Sequence, residues 1–230
     1  LISNGRLEFG IGAGWHEDEF RMYGIPYPPP KVRLDQLVEG LEIAIGMFTH
    51  ERFSFRGEHY SVEEAPNLPQ PVQKPRPPVW VAGGGEKRML RIVARYADWH
   101  NLVVTPLPDF KRKMEILDGY CVELGRDPAS LKRSLNPSLL LRDTDDEFDS
   151  YAQERAARRG IPVAEYYALL DSQGTIYGGP DRATEQLQSF VGAGCQYFEF
   201  IVREADQEAT MRRFAERIMP RFRAESQAVR

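Results

Sequence analysis

The stretch Pro78-Val79-Trp80-Val81-Ala82-Gly83-Gly84-Gly85-Glu86-Lys87-Arg88 joins a short apolar run, a glycine turn and the head of a basic segment. Four β-prone residues followed by three glycines read as a buried strand ending in a sharp turn. Beyond them, Leu90, Val93, Ala94 and Ala97 keep the three-and-four spacing of a helix with one apolar face, and the helix is expected to open near Glu86. The combination outlines an anion cradle. Glycines let backbone approach a ligand closely, and a helix start offers unpaired N–H groups and the positive end of its dipole. A phosphate is the expected occupant. A strand-to-helix turn with no ligand would use the same residues, so the rest of the chain must decide.

Outward from this point, apolar β-prone runs at residues 7–11, 79–82, 99–104, 134–141 and 197–202 alternate with helical stripes. Leu34, Leu37, Val38, Leu41, Ile45 and Phe48 form one stripe; Phe110, Met114, Leu117, Cys121 and Leu124 form another. Gly179-Pro180-Asp181 has the proline placement of a helix start, residues 192–194 end that helix, and Met211, Phe214, Ala215, Ile218 and Phe222 mark a last one. Short apolar strands between helices predict an α/β fold with a parallel sheet. Five such units exceed a compact dinucleotide-binding half, whereas a complete eight-unit barrel typically needs about 250 residues. An incomplete barrel is therefore expected.

Residues 51–78 break the alternation. Phe53, Phe55, Tyr60 and Val62 flank Arg56-Gly57-Glu58 as in a hairpin, and Pro66, Pro69, Pro71, Pro75, Pro77 and Pro78 impose an extended connection. The segment reads as an insertion on a single domain covering residues 1–230. Within 230 residues, 42% hydrophobic and 28% charged, the formal net charge is only −4, which gives no signal for a nucleic-acid partner. No apolar run approaches a membrane span. Cys121 and Cys195 are too few for a disulfide framework and lack metal-site spacing, so a reducing cytoplasm and no metal are expected.

A second small-residue strand end is Gly10-Ile11-Gly12-Ala13-Gly14-Trp15-His16-Glu17-Asp18-Glu19-Phe20, followed by Tyr23-Gly24-Ile25-Pro26. No third glycine opens a helix at the dinucleotide spacing, which disfavours NAD on a Rossmann fold. Taken in order, GIGAGWHEDEF with YGIPYP, R-x-x-x-L-x-E-x-L-x-I, F-x-G-x-x-Y, P-x-P-V-Q-x-P-x-P-P and VAGGGEKRMLRIVARYADWHN resemble the bacterial luciferase-like superfamily. Within it they resemble the coenzyme F420-dependent oxidoreductase branch, and the resemblance runs through Gly179-Pro180-Asp181 to Phe200.

The resemblance implies a (β/α)8 TIM barrel with the cofactor at the C-terminal ends of the strands. It assigns cofactor binding to Gly12, Ala13, Gly14 and His16 at one strand end, and to Ala82, Gly83, Gly84, Gly85, Glu86 and Lys87 at another. On this mapping the chain begins at the family's fourth strand, about one hundred residues carrying the first three strands are absent, and the fragment alone is expected to be inactive. Catalytic residues stay unassigned, because relatives commonly carry them on those strands. Ala13 stands where some relatives have an acidic carboxylate, so that role is not carried over. FMN-using luciferases have an arginine near there, and its absence favours F420 over FMN. His16 is either a ring contact or a helix cap. Lys87, Arg88, Arg91 and Arg95 could guide an anionic cofactor tail or simply face water; His100 and Asn101 could line the pocket, and Glu199 is a candidate buried carboxylate.

The implied activity is hydride transfer between reduced F420 and a small organic substrate. An FMN-dependent monooxygenase is the alternative, and a flavin-binding relative without turnover is an alternative of another class. A small-molecule substrate is the implied partner, a homodimer is compatible with the pattern, and neither nucleic acid nor membrane is implied.

Overall fold

The computed structural model describes residues 2–203 and 207–222. In chain order the elements are β1 (Phe9–Gly12), α1 (Glu17–Met22), α2 (Pro30–Thr49), β2 (Arg52–Arg56), β3 (Ser61–Pro66), β4 (Val79–Ala82), α3 (Met89–Tyr96), β5 (Trp99–Val103), α4 (Leu107–Glu123), β6 (Lys132–Asn136), β7 (Ser138–Leu141), α5 (Asp145–Arg159), α6 (Val163–Ser172), β8 (Ile176–Gly178), α7 (Pro180–Gly192), β9 (Tyr197–Phe198), β10 (Ile201–Val202) and α8 (Gln207–Arg213), which a π-helical turn (Phe214–Ile218) extends. The fold is α/β, and the strands that alternate with helices pair in parallel. Contacts divide the chain into two compact units, Leu1–Asn101 with Glu115–Lys132, and Leu102–Met114 with Arg133–Arg230.

In the first unit β1, β4 and β5 lie side by side. Phe9 pairs with Val79 and Gly12 with Ala82, while Trp80 and Ala82 pair with Trp99 and Asn101. The register explains why β1 starts two residues later than residue 7. Its first ladder bond runs from the Phe9 N–H to the Pro78 carbonyl, 2.8 Å, and Leu7 stays half exposed. Val79 and Val81 are fully buried, and Trp80 stacks on Trp99 at 4.5 Å between ring centroids. Asp98 pins the entry to β4 by accepting from the Val79 N–H at 2.7 Å and pairing with Arg76. Helix α2 begins at Pro30, whose missing N–H costs nothing in a first turn, and buries Leu37 and Leu41. The hairpin β2–β3 is a separate antiparallel pair, held to α2 by Glu39, which accepts from the N–H groups of Glu58, His59 and Tyr60 at 2.8 to 2.9 Å.

In the second unit β6 pairs with β9, and β7 lies between β10 and β8. Two predicted strands, 134–141 and 197–202, are each broken. Pro137 has no N–H to give, so the first divides into β6 and β7; the second divides opposite it into β9 and β10, with the Ile201 N–H reaching the Pro137 carbonyl at 3.0 Å. Glu199 falls in that gap and is exposed, which corrects the expectation of a buried carboxylate. Val104 takes a positive φ of 45° and ends β5 one residue before the predicted limit.

Helices α5 and α6 and strand β8 fill a stretch in which the sequence reading placed no element. Thr144 caps α5 by accepting from the Glu147 N–H at 3.1 Å, and Gly160 closes it in the left-handed conformation. Phe148, Ala152, Ala156, Tyr166, Leu170 and Tyr177 form a core beneath it. Among the described residues no helix is long and apolar enough to cross a membrane, and no cluster of acidic, histidine and cysteine side chains could hold a metal.

Helix α3 is fastened to α2 by the Tyr96 hydroxyl, which donates to Glu42 Oε1 at 2.6 Å. Burial, with the Glu42 carboxylate second, pushes the phenol up to about 12. A raised pKa in the folded state means that this contribution is complete below the ordinary tyrosine value and is lost as pH climbs through the folded one. We predict that the stability difference between the wild type and Tyr96→Phe, measured by urea unfolding, is constant below about pH 10 and shrinks between about pH 10 and 12. A difference that is unchanged up to pH 12 would show that the bond is not coupled to folding.

Candidate cofactor site

The register of β1 on β4 sets the site. With Gly12 opposite Ala82 in parallel strands, the two small-residue turns that follow leave from the same edge of the sheet. Gly83 then continues the ladder. Its N–H donates to the Asn101 carbonyl at 3.2 Å, and its carbonyl lies 2.9 Å from Nε2 of His100, an imidazole with no solvent exposure. A carbonyl only accepts, so Nε2 carries the proton in this contact.

Gly83 is the glycine of the run that the turn requires. Its φ is +143°, and a Cβ there would lie 2.9 Å from the Met89 side chain. Gly84 and Gly85 follow without a positive φ, then residues 86–88 make a turn, and α3 begins at Met89 rather than at the predicted Glu86. Three residues of turn place the glycines ahead of the helix instead of inside its first turn.

On the facing side, Gly14 has φ +74°, and a Cβ would meet the Phe20 ring at 2.6 Å. Arg33 crosses from α2 to donate to the Gly14 carbonyl at 2.5 Å, with its guanidinium 4.0 Å above the Tyr27 ring, and the Tyr27 hydroxyl donates to the Trp15 carbonyl at 3.1 Å. Between the two turns lies a hollow of about 780 Å³. Ala13, Gly14, Gly84, Gly85, Glu86 and Lys87 all line it, so six of the ten predicted cofactor residues border one hollow. Gly12 and Ala82 are the paired strand ends behind them.

His16 is not part of that lining. Its Nδ1 accepts from the Glu19 N–H at 3.3 Å and caps α1. Lys31 and Arg33, which the sequence does not point to as site residues, line the hollow, as does Arg88, a candidate guide for an anionic tail. Arg88 is committed to Asp35 at 2.5 Å, a hydrogen bond that holds the Asp35 carboxyl below its ordinary range. Arg91 pairs with Glu123 at 3.0 Å and faces away from any such duty. Lys31, Arg33 and Lys87 therefore supply the positive charge, against Glu86 alone among the lining acids. The Arg33 Nε is buried and has no hydrogen-bond partner among the described residues. That position is a donor in want of an acceptor.

Arg33 also revises the sequence argument about cofactor choice. No arginine stands beside Ala13 in the chain, yet the fold brings one to the adjacent Gly14 carbonyl from nineteen residues away. The absence of a neighbouring arginine in sequence therefore carries no preference for F420 over FMN.

The two glycine turns thus stand at one sheet edge, with Lys31, Arg33 and Lys87 around the hollow between them. The chain belongs to the luciferase-like monooxygenase family, whose model matches residues 1–222. It is 23% identical to F420-dependent glucose-6-phosphate dehydrogenase of Amycolatopsis mediterranei, over 97% of this chain and 72% of that protein. It is 24% identical to FMNH(2)-dependent dimethylsulfone monooxygenase of Pseudomonas putida, over 68% of this chain and 42% of that protein. Among solved structures, coenzyme F420 dependent tetrahydromethanopterin reductase from Methanopyrus kandleri superposes with a TM-score of 0.76 at 16% identity, covering 96% of this chain and 76% of that one. The chain spans about half the length of several curated relatives: 46%, 42% and 58% in three of them. Relatives in this family include both F420-dependent and FMNH(2)-dependent enzymes.

The conformation of Gly83 gives a direct test of the cradle's construction. Gly83→Ala should lower stability by about 1–3 kcal/mol through its positive φ alone. Adding Met89→Ala should relieve the side-chain collision but not the backbone strain, so the double variant should remain less stable than Met89→Ala by a similar amount. Thermal melts of the four proteins check this. Equal stability of Met89→Ala with and without the alanine at position 83 would contradict the assigned backbone conformation.

Proposed function

We propose that the hollow between the two glycine turns seats the phosphate of a flavin-type cofactor. We further infer that the protein carrying this chain is an F420-dependent oxidoreductase acting on a small organic molecule. The observation that carries the reading is the convergence of Gly84, Gly85, Lys31, Arg33 and Lys87 on one hollow, with a buried guanidinium nitrogen left without an acceptor. A phosphate oxygen answers that need in charge and in chemistry. The glycines allow close approach, and Arg33, already fixed by Gly14 and Tyr27, would bind with little further loss of side-chain freedom.

When bound, such a cofactor supplies the hydride chemistry. The chain's own share is to hold the phosphate, fix the spacing of the two turns and keep Gly83 in place through His100. The extent of the match to the F420-dependent relative, which takes in nearly all of this chain and most of that protein, supports the deazaflavin. FMN is the second reading, favoured by the placement of Arg33 beside Gly14 and by the FMNH(2)-dependent relatives. A flavin-binding protein without turnover would share the hollow and is separated by hydride-transfer kinetics.

Titration with F420 and with FMN, followed by ring fluorescence, tests the seat and the choice of cofactor together. Arg33→Gln should weaken binding of the preferred cofactor at least tenfold, in line with about 1.5–3 kcal/mol for a hydrogen bond to a charged group. Lys87→Ala should weaken it less, and the loss should fade with added salt, because an exposed ammonium is screened. If Arg33→Gln folds and retains wild-type affinity for both cofactors, the phosphate does not sit in this hollow.

A further inference from the structure

A second concave site lies wholly within the other unit, and its charge is one-sided. A cavity of about 700 Å³, in the usual range for a small-molecule pocket, is lined by Arg142, Arg155, Arg159, Arg203 and Arg213. Among the described residues no aspartate or glutamate lines it. In a chain with a formal net charge of −4, five arginines around one cavity with no acid among its described lining residues run against the overall balance. The adjoining hollow shows the ordinary arrangement: there Arg212, Arg213 and Arg217 face Asp143, Glu208 and Glu216, three against three.

The arginines reach the cavity from separate elements. Arg142 leaves the end of β7 and Arg203 follows β10, which pairs with β7 in parallel, so both stand at the same edge. Tyr151, Arg155 and Arg159 recur every four residues on α5 and share one face of it. Rings hold the guanidinium groups in place: Arg142 lies 4.0 Å above Tyr151, Arg155 5.7 Å from the same ring, and Arg159 5.4 Å from Tyr166. Arg213 is engaged by Asp143 at 2.7 Å. Arg155, Arg159 and Arg203 form no ion pair with a described residue. Arg158, on the solvent side of the same helix, shows the contrast by pairing with Glu154 at 2.5 Å.

The lining is mixed, with Ser138, Gln173 and Thr175 among its polar residues. Leu139, Leu140, Leu170 and Ile201 contribute apolar surface beside the two tyrosines. Planar guanidiniums set beside rings can grip oxyanions in pairs, and the apolar part of the lining suits a carbon skeleton rather than a bare ion. We propose that this cavity is a binding site for a small organic dianion, a phosphate monoester or a molecule with two carboxylates, with its organic body over Tyr151 and Tyr166. The assignment goes beyond the cofactor reading and does not rest on it.

Isothermal titration with phenyl phosphate and with phthalate distinguishes the two forms of the dianion, with benzyl alcohol as the neutral control. Because phenyl phosphate could also enter the glycine hollow, the titrations are made in the Arg33→Gln background. There, at least one dianion should bind, benzyl alcohol should not, and adding Arg155→Gln with Arg159→Gln should weaken the dianion at least tenfold. Arg155→Lys with Arg159→Lys should retain an intermediate affinity, since charge persists while the paired geometry is lost. All variants should keep the wild-type circular dichroism. Equal dianion affinity with and without the two glutamines would overturn the proposal. So would loss of all dianion binding in Arg33→Gln alone, which would place the anion in the glycine hollow instead.

Discussion

The site in the first unit depends on one register. Gly12 lies opposite Ala82, and Ala82 lies opposite Asn101, so three parallel strands end at a common level and the turns beyond them face one another. A slip of one residue would invert every side chain on the slipped strand and bring buried Val79 and Val81 to the other face. Gly83 fixes the level where the ladder stops. Its N–H is still bonded to β5, its carbonyl is taken by buried His100, and its φ is closed to residues with a side chain. The glycine turn is therefore rigid at its root and open only beyond it.

Electrostatics then separates structural charge from charge with work left to do. Asp35 is held by Arg88, Asp98 by Arg76, Asp143 by Arg213 and Asp149 by Arg182. In each pair the acid answers the arginine and the contact serves the fold. Arg33 differs because its bonds are to a carbonyl and a ring, which position the guanidinium without neutralising it. Arg155 and Arg159 have the same character on α5, stacked on rings rather than paired with acids. A guanidinium that is oriented but not neutralised keeps donors for a further acceptor.

Much of this was legible in the sequence, in proportion to how local the cause is. Strand β4 follows directly from four apolar residues between a proline and a glycine, α2, α3 and α4 from spacing, and α7 from its proline start and glycine end. The two glycine turns were legible as turns, since both runs of small residues directly follow a short apolar run. Helix α5 was missed although Thr144, an acidic first turn and Gly160 frame it, because a helix of mean polar character hides its apolar face, here Phe148, Ala152 and Ala156. The run 134–141 was read as one strand despite Pro137, and the matching break near Glu199 follows only from knowing which strand lies beside it. Arg33 was visible as a motif position, yet no spacing rule says that a side chain on α2 reaches back to Gly14. The role of His100 was hidden for the same reason, since its partner is a carbonyl seventeen residues away. His16 held two meanings at once, and in the structure it serves as a cap.

The most direct test of the central claim is a titration of the ¹⁵N-labelled chain with FMN and with F420, following the amide signals and the Arg33 Nε–H by NMR. The account predicts that the amides of Gly84, Gly85 and Glu86, the amide of Gly14 and the Arg33 Nε–H shift together along one binding curve, while Gly160 and Gly174 stay still. Saturable shifts confined to residues outside the hollow, with the Arg33 Nε–H unmoved by either cofactor, would contradict it.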